Sequence, residues 1–242
     1  MTAKRKKNNK KKPINSNIGI LYVVATPIGN LEDITARALK ILNQVDFIAS
    51  EDTRVSGKLL ARFEIKKCQF SYHDKNERSK SDQLIDLLKD GNSIALISDA
   101  GTPLISDPGY HLVKKAIEND IEIIPIPGPS SVITALMVCG FSLISFCFEG
   151  YPPKTSGKHR KFFEKFINEE RIVVFFETPH RLTKSLNLML DVLGDREIFI
   201  GRELTKRFEE KLRGPISEMI SIFENRSPKG EFVIVINGAK AK

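Results

Sequence analysis

From residue 18 onward the chain alternates two hydrophobic patterns. Short apolar runs of four to eight residues fit buried strands, and between them apolar positions recur every three or four residues, as on amphipathic helices. A first strand is expected at "IGILYVVAT" (18–26), then the turn "TPIGN" and a helix over 33–43. "DFIAS" leads through "EDTR" into a helix containing Leu59 and Leu60, and "SDQLIDLLKDG" places Leu84, Leu87 and Leu88 on one helical face ahead of Gly91. "SIALIS" is the next strand, followed by a helix at "HLVKKAIEND" and a strand at "IEIIPI"; "PGPSSVITALMVCG" closes this unit at residue 140. A second unit starts near Phe141, where "FCFEGYPPKTSGK" joins a strand to a Pro/Ser/Gly loop. Its clearer strands are "RIVVFFET", "REIFIGREL" and "KGEFVIVING", with helices at "HRLTKSLNLMLDVLG" and "ISEMISIFEN". The alternation predicts an α/β fold with a largely parallel sheet, divided into α/β domains at 18–140 and 141–242. No internal repeat is visible.

Composition changes this picture little, and charge changes it at one place. At 242 residues and 41% hydrophobic, the chain can build a sizeable core. Residues 123–148 carry no charge, yet Pro125, Pro127, Pro129, Gly128 and Gly140 break the run into pieces too short to cross a hydrocarbon layer of roughly 30 Å, so no membrane span is expected. The net charge is +8, but "MTAKRKKNNKKKP" alone supplies seven Lys/Arg and no acid, which leaves +1 for the rest. Residues 1–17 are therefore expected to form a disordered basic tail, either a solubilising arm or an electrostatic tether to RNA. Cys68, Cys139 and Cys147 form no CxxC pair, and the four histidines show no ligand spacing. No metal and a reducing, cytoplasmic setting are expected, and no apolar segment follows the basic start as in a signal peptide.

The unusual chemistry sits in the loops that follow apolar runs: "TPIGN", "SEDTR", "SDAGTP", "PIPGPSS" and "FFETPHR". Ligands of open α/β sheets gather beyond the carboxyl ends of strands. The run "LISDAGTPLISDPG" reads as a rigid loop, since Gly admits positive φ and close ligand approach while Pro fixes φ. No GxGxxG follows the first strand. The stretch 150–158 misses the phosphate-loop spacing, and Ser130 and Ser131 lack a GxSxG elbow, so their ordinary role would be capping the next helix.

"LYVVATPIGNLEDIT", "ASEDTR", "SYHDKNE", "LISDAGTPLISDPG", "PIPGPSS", "FEGYPPK", "FFETPHRL", "GRELTKRFEE" and "KGEFVIVI" occur in the order and style of one family. The chain resembles the ribosomal RNA small subunit methyltransferase I family of the tetrapyrrole methylase superfamily, over nearly all of residues 20–237. The resemblance implies two α/β domains with a cofactor cleft between them, commonly in a homodimer. It implies binding of S-adenosylmethionine and methylation of a ribose 2′-hydroxyl of a decoding-centre cytidine in 16S rRNA of the small ribosomal subunit. By resemblance, Pro27 and Gly29 belong to a first cofactor-side loop, Asp99, Gly101 and Thr102 to a second, Ser130 to a third, and Phe176 with Glu177 to a second-domain motif facing the same cleft. The Lys-rich tail departs from the family pattern, as does a chain ending at Lys242 without the further helical segment of many relatives.

Methyl transfer to a hydroxyl requires alignment and benefits from a proton acceptor. Glu51, Asp52, His73 and Glu177 are the motif-borne candidates for that base. Each has an ordinary alternative: Glu51 and Asp52 as caps paired with Arg54, His73 as a local hydrogen-bond partner, Glu177 as the carboxylate orienting Arg181. Arg54, Arg181, Arg202 and Lys206 are candidates for rRNA phosphate contacts, with surface ion pairing as the alternative. Two other classes stay open at this point: a tetrapyrrole C-methyltransferase on the same fold, and a non-catalytic RNA-binding module.

Overall fold

Residues 18–224 and 226–239 are described by the computed structural model, so the expected basic tail at 1–17 lies outside them. In the first domain, strands β1 (Ile20–Val24), β2 (Phe47–Ser50), β3 (Cys68–Ser71), β4 (Ile94–Ile97) and β5 (Glu122–Ile126) form a wholly parallel sheet in the order β3-β2-β4-β1-β5. Helices α1 (Ala36–Gln44), α2 (Thr53–Arg62), α3 (Glu77–Lys89), α4 (Tyr110–Glu118) and α5 (Ser131–Cys139) are interleaved with them. Every residue of β4 is buried, as expected of a central parallel strand covered on both faces. One apolar layer gathers Leu21, Leu84, Leu88, Leu96 and Leu112; the other gathers Val24, Leu42, Ile48, Leu60 and Ile126. β3 was not anticipated: it is an edge strand of four partly exposed residues, and edges carry little hydrophobic signal.

The second domain holds β6 (Phe146–Phe148), β7 (Ile172–Glu177), β8 (Glu197–Arg202), β9 (Glu210–Pro215) and β10 (Phe232–Ile236), with α6 (Ser156–Glu164), α7 (Pro179–Leu193) and α8 (Ile216–Glu224). Its sheet order is β6-β7-β10-β8-β9. Here the structure departs from the expected largely parallel pairing. Only β6 and β7 run parallel, while β7–β10, β10–β8 and β8–β9 are antiparallel. The near-continuous apolar runs of β7, β8 and β10 signal burial on both faces, which is independent of strand direction. Direction is set by the connections, such as the short loop 203–209 that folds β8 and β9 into a hairpin. β9, "EKLRGP", is again a polar edge strand.

Helix α5 joins the two domains. Its sequence carries no charge, and Val132, Ala135, Leu136 and Cys139 pack with Ile172, Val174, Phe199, Val233 and Val235 of the second sheet, alongside Ile28 and Leu204. The helix that follows the carboxyl end of β5 is thereby packed against the second sheet. The charge-free run 123–148 resolves into β5, α5 and β6, and no helix among the described residues is long and apolar enough to cross a membrane. Leu136→Ala should cost about 2–5 kcal/mol, measured as a fall in the urea midpoint, because it opens a cavity in the layer between the domains.

Candidate active site

The loop after β4 is the hub of the cleft. Gly101 and Thr26 exchange both backbone hydrogen bonds, at 2.9 and 3.0 Å, tying this loop to the one after β1, and the Thr26 hydroxyl donates to Ser98 O at 3.2 Å. Thr102 Oγ1 donates to Pro129 O at 3.1 Å, which fastens the loop after β5. Asp99 Oδ1 accepts the Asp52 N–H at 3.0 Å, which fastens the loop after β2. Gly101 has φ +83°, a conformation other residues adopt only with strain, and a Cβ there would come within 3.3 Å of Ile28.

These ties frame a cleft of about 270 Å³ lined from both domains. The first domain contributes Ile28, Glu51, the 99–102 loop, Ile105, Asp107 and the start of α5 at Ser130, Ser131 and Val132. The second contributes Tyr151, Phe176, Gly201, Leu204 and the Glu231–Val233 segment. Phe176 is set by aromatic neighbours, its ring centroid 4.9 Å from Phe148 and 5.3 Å from Tyr151. Of the residues picked from sequence, Glu51, Asp99, Gly101, Thr102, Ser130 and Phe176 meet at this cleft.

The others lie outside its wall. Pro27 is buried. Gly29 abuts Thr205 and Lys206, and a side chain at 29 would collide with them, so this glycine permits close approach of loops from the two domains. Asp52 caps α2 and pairs with exposed Arg54 at 2.6 Å, which holds its carboxyl well below the usual range. His73 sits in the turn before α3, its backbone N–H donating to Asn76 Oδ1 at 2.9 Å. Glu177 is 2% exposed and turned away, accepting from Thr178 N–H at 2.8 Å and from the Ser185 hydroxyl, with Arg181 Nε at 3.3 Å. Since Ser185 gives its proton to Glu177, it accepts from His159 Nε2 at 3.2 Å, which fixes that tautomer. Burial, with Arg181 and Lys184 nearby, lowers the His159 pKa. Arg181 then donates to Pro152 O at 2.7 Å, so this buried network holds the loop that presents Tyr151. Arg202 pairs with Glu210 at 2.9 Å, and Lys206 bridges Glu203 and Glu231, both at 3.0 Å.

Asp107, Tyr151, Ile28 and Glu231 lie inside motifs visible in the sequence but were not singled out. Asp107 had a signal: its "SDPG" repeats the "SDAG" turn that carries Asp99. Electrostatically the cleft is one-sided. Its wall holds Glu51, Asp99, Asp107 and Glu231 and no Lys, Arg or His. Burial, reinforced by Asp107, Asp99 and Asp74, pushes Glu51 up to about 7. Burial, then Asp99, Asp74 and Glu231, pushes Asp107 up to about 6 against a lowering hydrogen bond from Ser98. Asp99 is raised as well, chiefly by burial. Another part of the wall is the start of α5, whose first-turn N–H groups have no hydrogen-bond partner among the described residues and whose cap Ser130 makes no side-chain capping bond. A cationic centre suits the first part and a carboxylate suits the second. Among the described residues, no three His, Cys, Asp or Glu side chains are grouped to hold a metal ion.

Residues 20–220 match the family described as Tetrapyrrole (Corrin/Porphyrin) Methylases. The "Ribosomal RNA small subunit methyltransferase I" of Thermotoga maritima is 47% identical over 222 residues, spanning 91% of this chain and 99% of that protein. The chain belongs to the tetrapyrrole methylases, and within them to the ribosomal RNA small subunit methyltransferase I family. The protein of the same name from Vibrio cholerae is 50% identical, spanning 90% of this chain and 77% of its own length. The methyltransferase CobJ shares the tetrapyrrole methylase fold at TM-score 0.70, with 15% identity over 93% of this chain and 96% of that one.

The raised carboxyl of Glu51 has a stability consequence. Its folded-state pKa exceeds the ordinary 4.5, so its contribution is complete below about pH 4.5 and is lost as pH rises through about 7. After discounting for its partial exposure, Glu51→Gln should recover about 1 kcal/mol at pH 8 and nearly nothing at pH 4.5. In a chain of this size that is a Tm gain of about 2–4 °C at pH 8, read by calorimetry at the two pH values.

Proposed function

We propose that this protein transfers a methyl group from S-adenosylmethionine to the 2′-hydroxyl of a decoding-centre cytidine in the 16S rRNA of the small ribosomal subunit. The observation that carries the reading is the 47–50% identity, over at least 90% of the chain, to proteins named for methylation of small-subunit ribosomal RNA. The cleft fits the donor chemically. Asp99 and its neighbouring carboxylates suit the cationic centres of S-adenosylmethionine, the α5 N-terminus and Ser130 suit its carboxylate, and Ile28, Val132, Phe176 and Leu204 offer an apolar surface for its base. Bound there, the cofactor supplies a methyl carbon already activated by a sulfonium.

The chain's own work is then alignment and proton removal. The three ties on the β4 loop hold Asp99, Gly101 and Thr102 rigidly, which suits an in-line transfer that tolerates little misplacement. A ribose hydroxyl must lose its proton as it attacks. Of the four base candidates only Glu51 lines the cleft, and its pKa of about 7 matches that task near neutral pH. Asp107, one of the charges that raise Glu51, is assigned to tuning it. A carbon acceptor on a tetrapyrrole brings its own nucleophilic π electrons and has less use for such a base at the moment of attack.

We also assign a homodimer. Ile133 and Met137, exposed four residues apart on α5, and Leu143 and Ile144 shortly after it, the last 94% exposed, offer apolar side chains suited to a second copy. Sedimentation should show a dimer that Met137→Glu weakens.

The deciding assay incubates labelled S-adenosylmethionine with small-subunit particles lacking the modification, and in parallel with uroporphyrinogen. Label should enter rRNA alone, and alkaline hydrolysis across the decoding centre should leave one missing rung, since a 2′-O-methyl protects its phosphodiester. Labelled rRNA with a complete ladder would replace the ribose by a base as acceptor. Gly101→Val should weaken cofactor binding at least tenfold in calorimetry while the protein stays folded. Glu51→Gln should lower kcat about 100-fold or more at unchanged cofactor affinity.

A further inference from the structure

The loop between β8 and β9, residues 203–209, is more heavily braced than a hairpin connection requires. Glu203 and Thr205 both take left-handed backbone conformations, with φ of 49° and 67°. The Glu203 N–H donates to Glu231 O at 3.0 Å, the Thr205 N–H to the Glu209 carboxylate at 2.7 Å, and the Glu209 N–H to Lys206 O at 3.1 Å. Lys206 clamps Glu203 to Glu231. The loop is rooted in the cleft, for Leu204 and Glu231 both line it.

Every tie on this loop leaves Arg207 and Phe208 projecting outward. Phe208 is 66% exposed, and the Arg207 guanidinium carbon lies over its ring, 5.6 Å from the centroid. Arg207 forms no ion pair or hydrogen bond among the described residues, in contrast to Arg202 and Lys206 of the same motif. A braced loop that keeps an aromatic ring largely in water, with an unneutralised cation over one face and the other face free, matches what single-stranded nucleic acid takes: a π face for a base and a charge for the adjoining phosphate. We propose that Phe208 is a stacking platform for an unpaired base flanking the methylated nucleotide, with Arg207 on its phosphate. This rests on the rRNA reading above and adds a subsite to it.

The test uses the full chain and Phe208→Ala, Phe208→Leu, Phe208→Trp and Arg207→Ala. The KM for small-subunit particles should rise about tenfold in Phe208→Ala and Phe208→Leu and return in Phe208→Trp, with kcat and calorimetric S-adenosylmethionine affinity unchanged. A single-stranded oligoribonucleotide carrying 2-aminopurine should lose fluorescence on binding wild type but not Phe208→Ala. Arg207→Ala should flatten the log K against log salt slope by about 0.7. An unchanged KM in Phe208→Leu, unquenched 2-aminopurine with wild type, or a Phe208→Ala variant altered only in oligomeric state would overturn the platform. If wild type methylates no rRNA, the substrate reading fails by itself, and the oligonucleotide measurement still decides whether Phe208 stacks a base.

Discussion

The paired backbone hydrogen bonds between Thr26 and Gly101 are the constraint on which the site depends. They lock the loop after the central strand β4 to the loop after its neighbour β1. From that anchored position Asp99 reaches the loop after β2 and Thr102 reaches the loop after β5. Four strand ends thus behave as one rigid rim. The bonds require a positive φ at residue 101, which is why glycine stands there.

Charge placement follows from this rim. Glu51, Asp99 and Asp107 are carried by loops held together at this rim, where burial raises all three carboxyls and neighbouring carboxylates push Glu51 and Asp107 further. A positively charged ligand in the cleft offsets the repulsion among these carboxylates, so the wall favours a cation. Burial, reinforced by those neighbouring charges, makes Glu51 a proton acceptor near neutral pH instead of a spectator anion.

The second domain completes the cleft through two devices of different kinds. One is the buried Glu177, Ser185 and His159 network, which turns Arg181 onto the Pro152 carbonyl and so positions Tyr151. The other is the braced β8–β9 loop, whose clamp on Glu231 ties a cleft-lining carboxylate to Lys206. α5 keeps both devices in register with the first domain, because its apolar side is buried in the second sheet.

The sequence alone determined the alternation of strands and helices, the α/β class, the two-domain plan and the loops that carry the chemistry, because periodicity and Gly/Pro punctuation are local properties. Burial was legible too, in the apolar runs of β4, β7 and β10. Tertiary structure decided what depends on distant partners. The antiparallel second sheet and the polar edge strands β3 and β9 follow from connections and neighbours, not from composition. Glu51 and Glu177 both sit in motif loops after apolar strands, yet one meets Asp99 and Asp107 in the cleft while the other meets Arg181 and Ser185 in the core. Asp107 carried a sequence signal in its repeated Ser-Asp turn, but only the fold set it among the charges that raise Glu51. A carboxylate's role is set by the charges and dipoles around it, and residues far apart in the chain supply those only after folding.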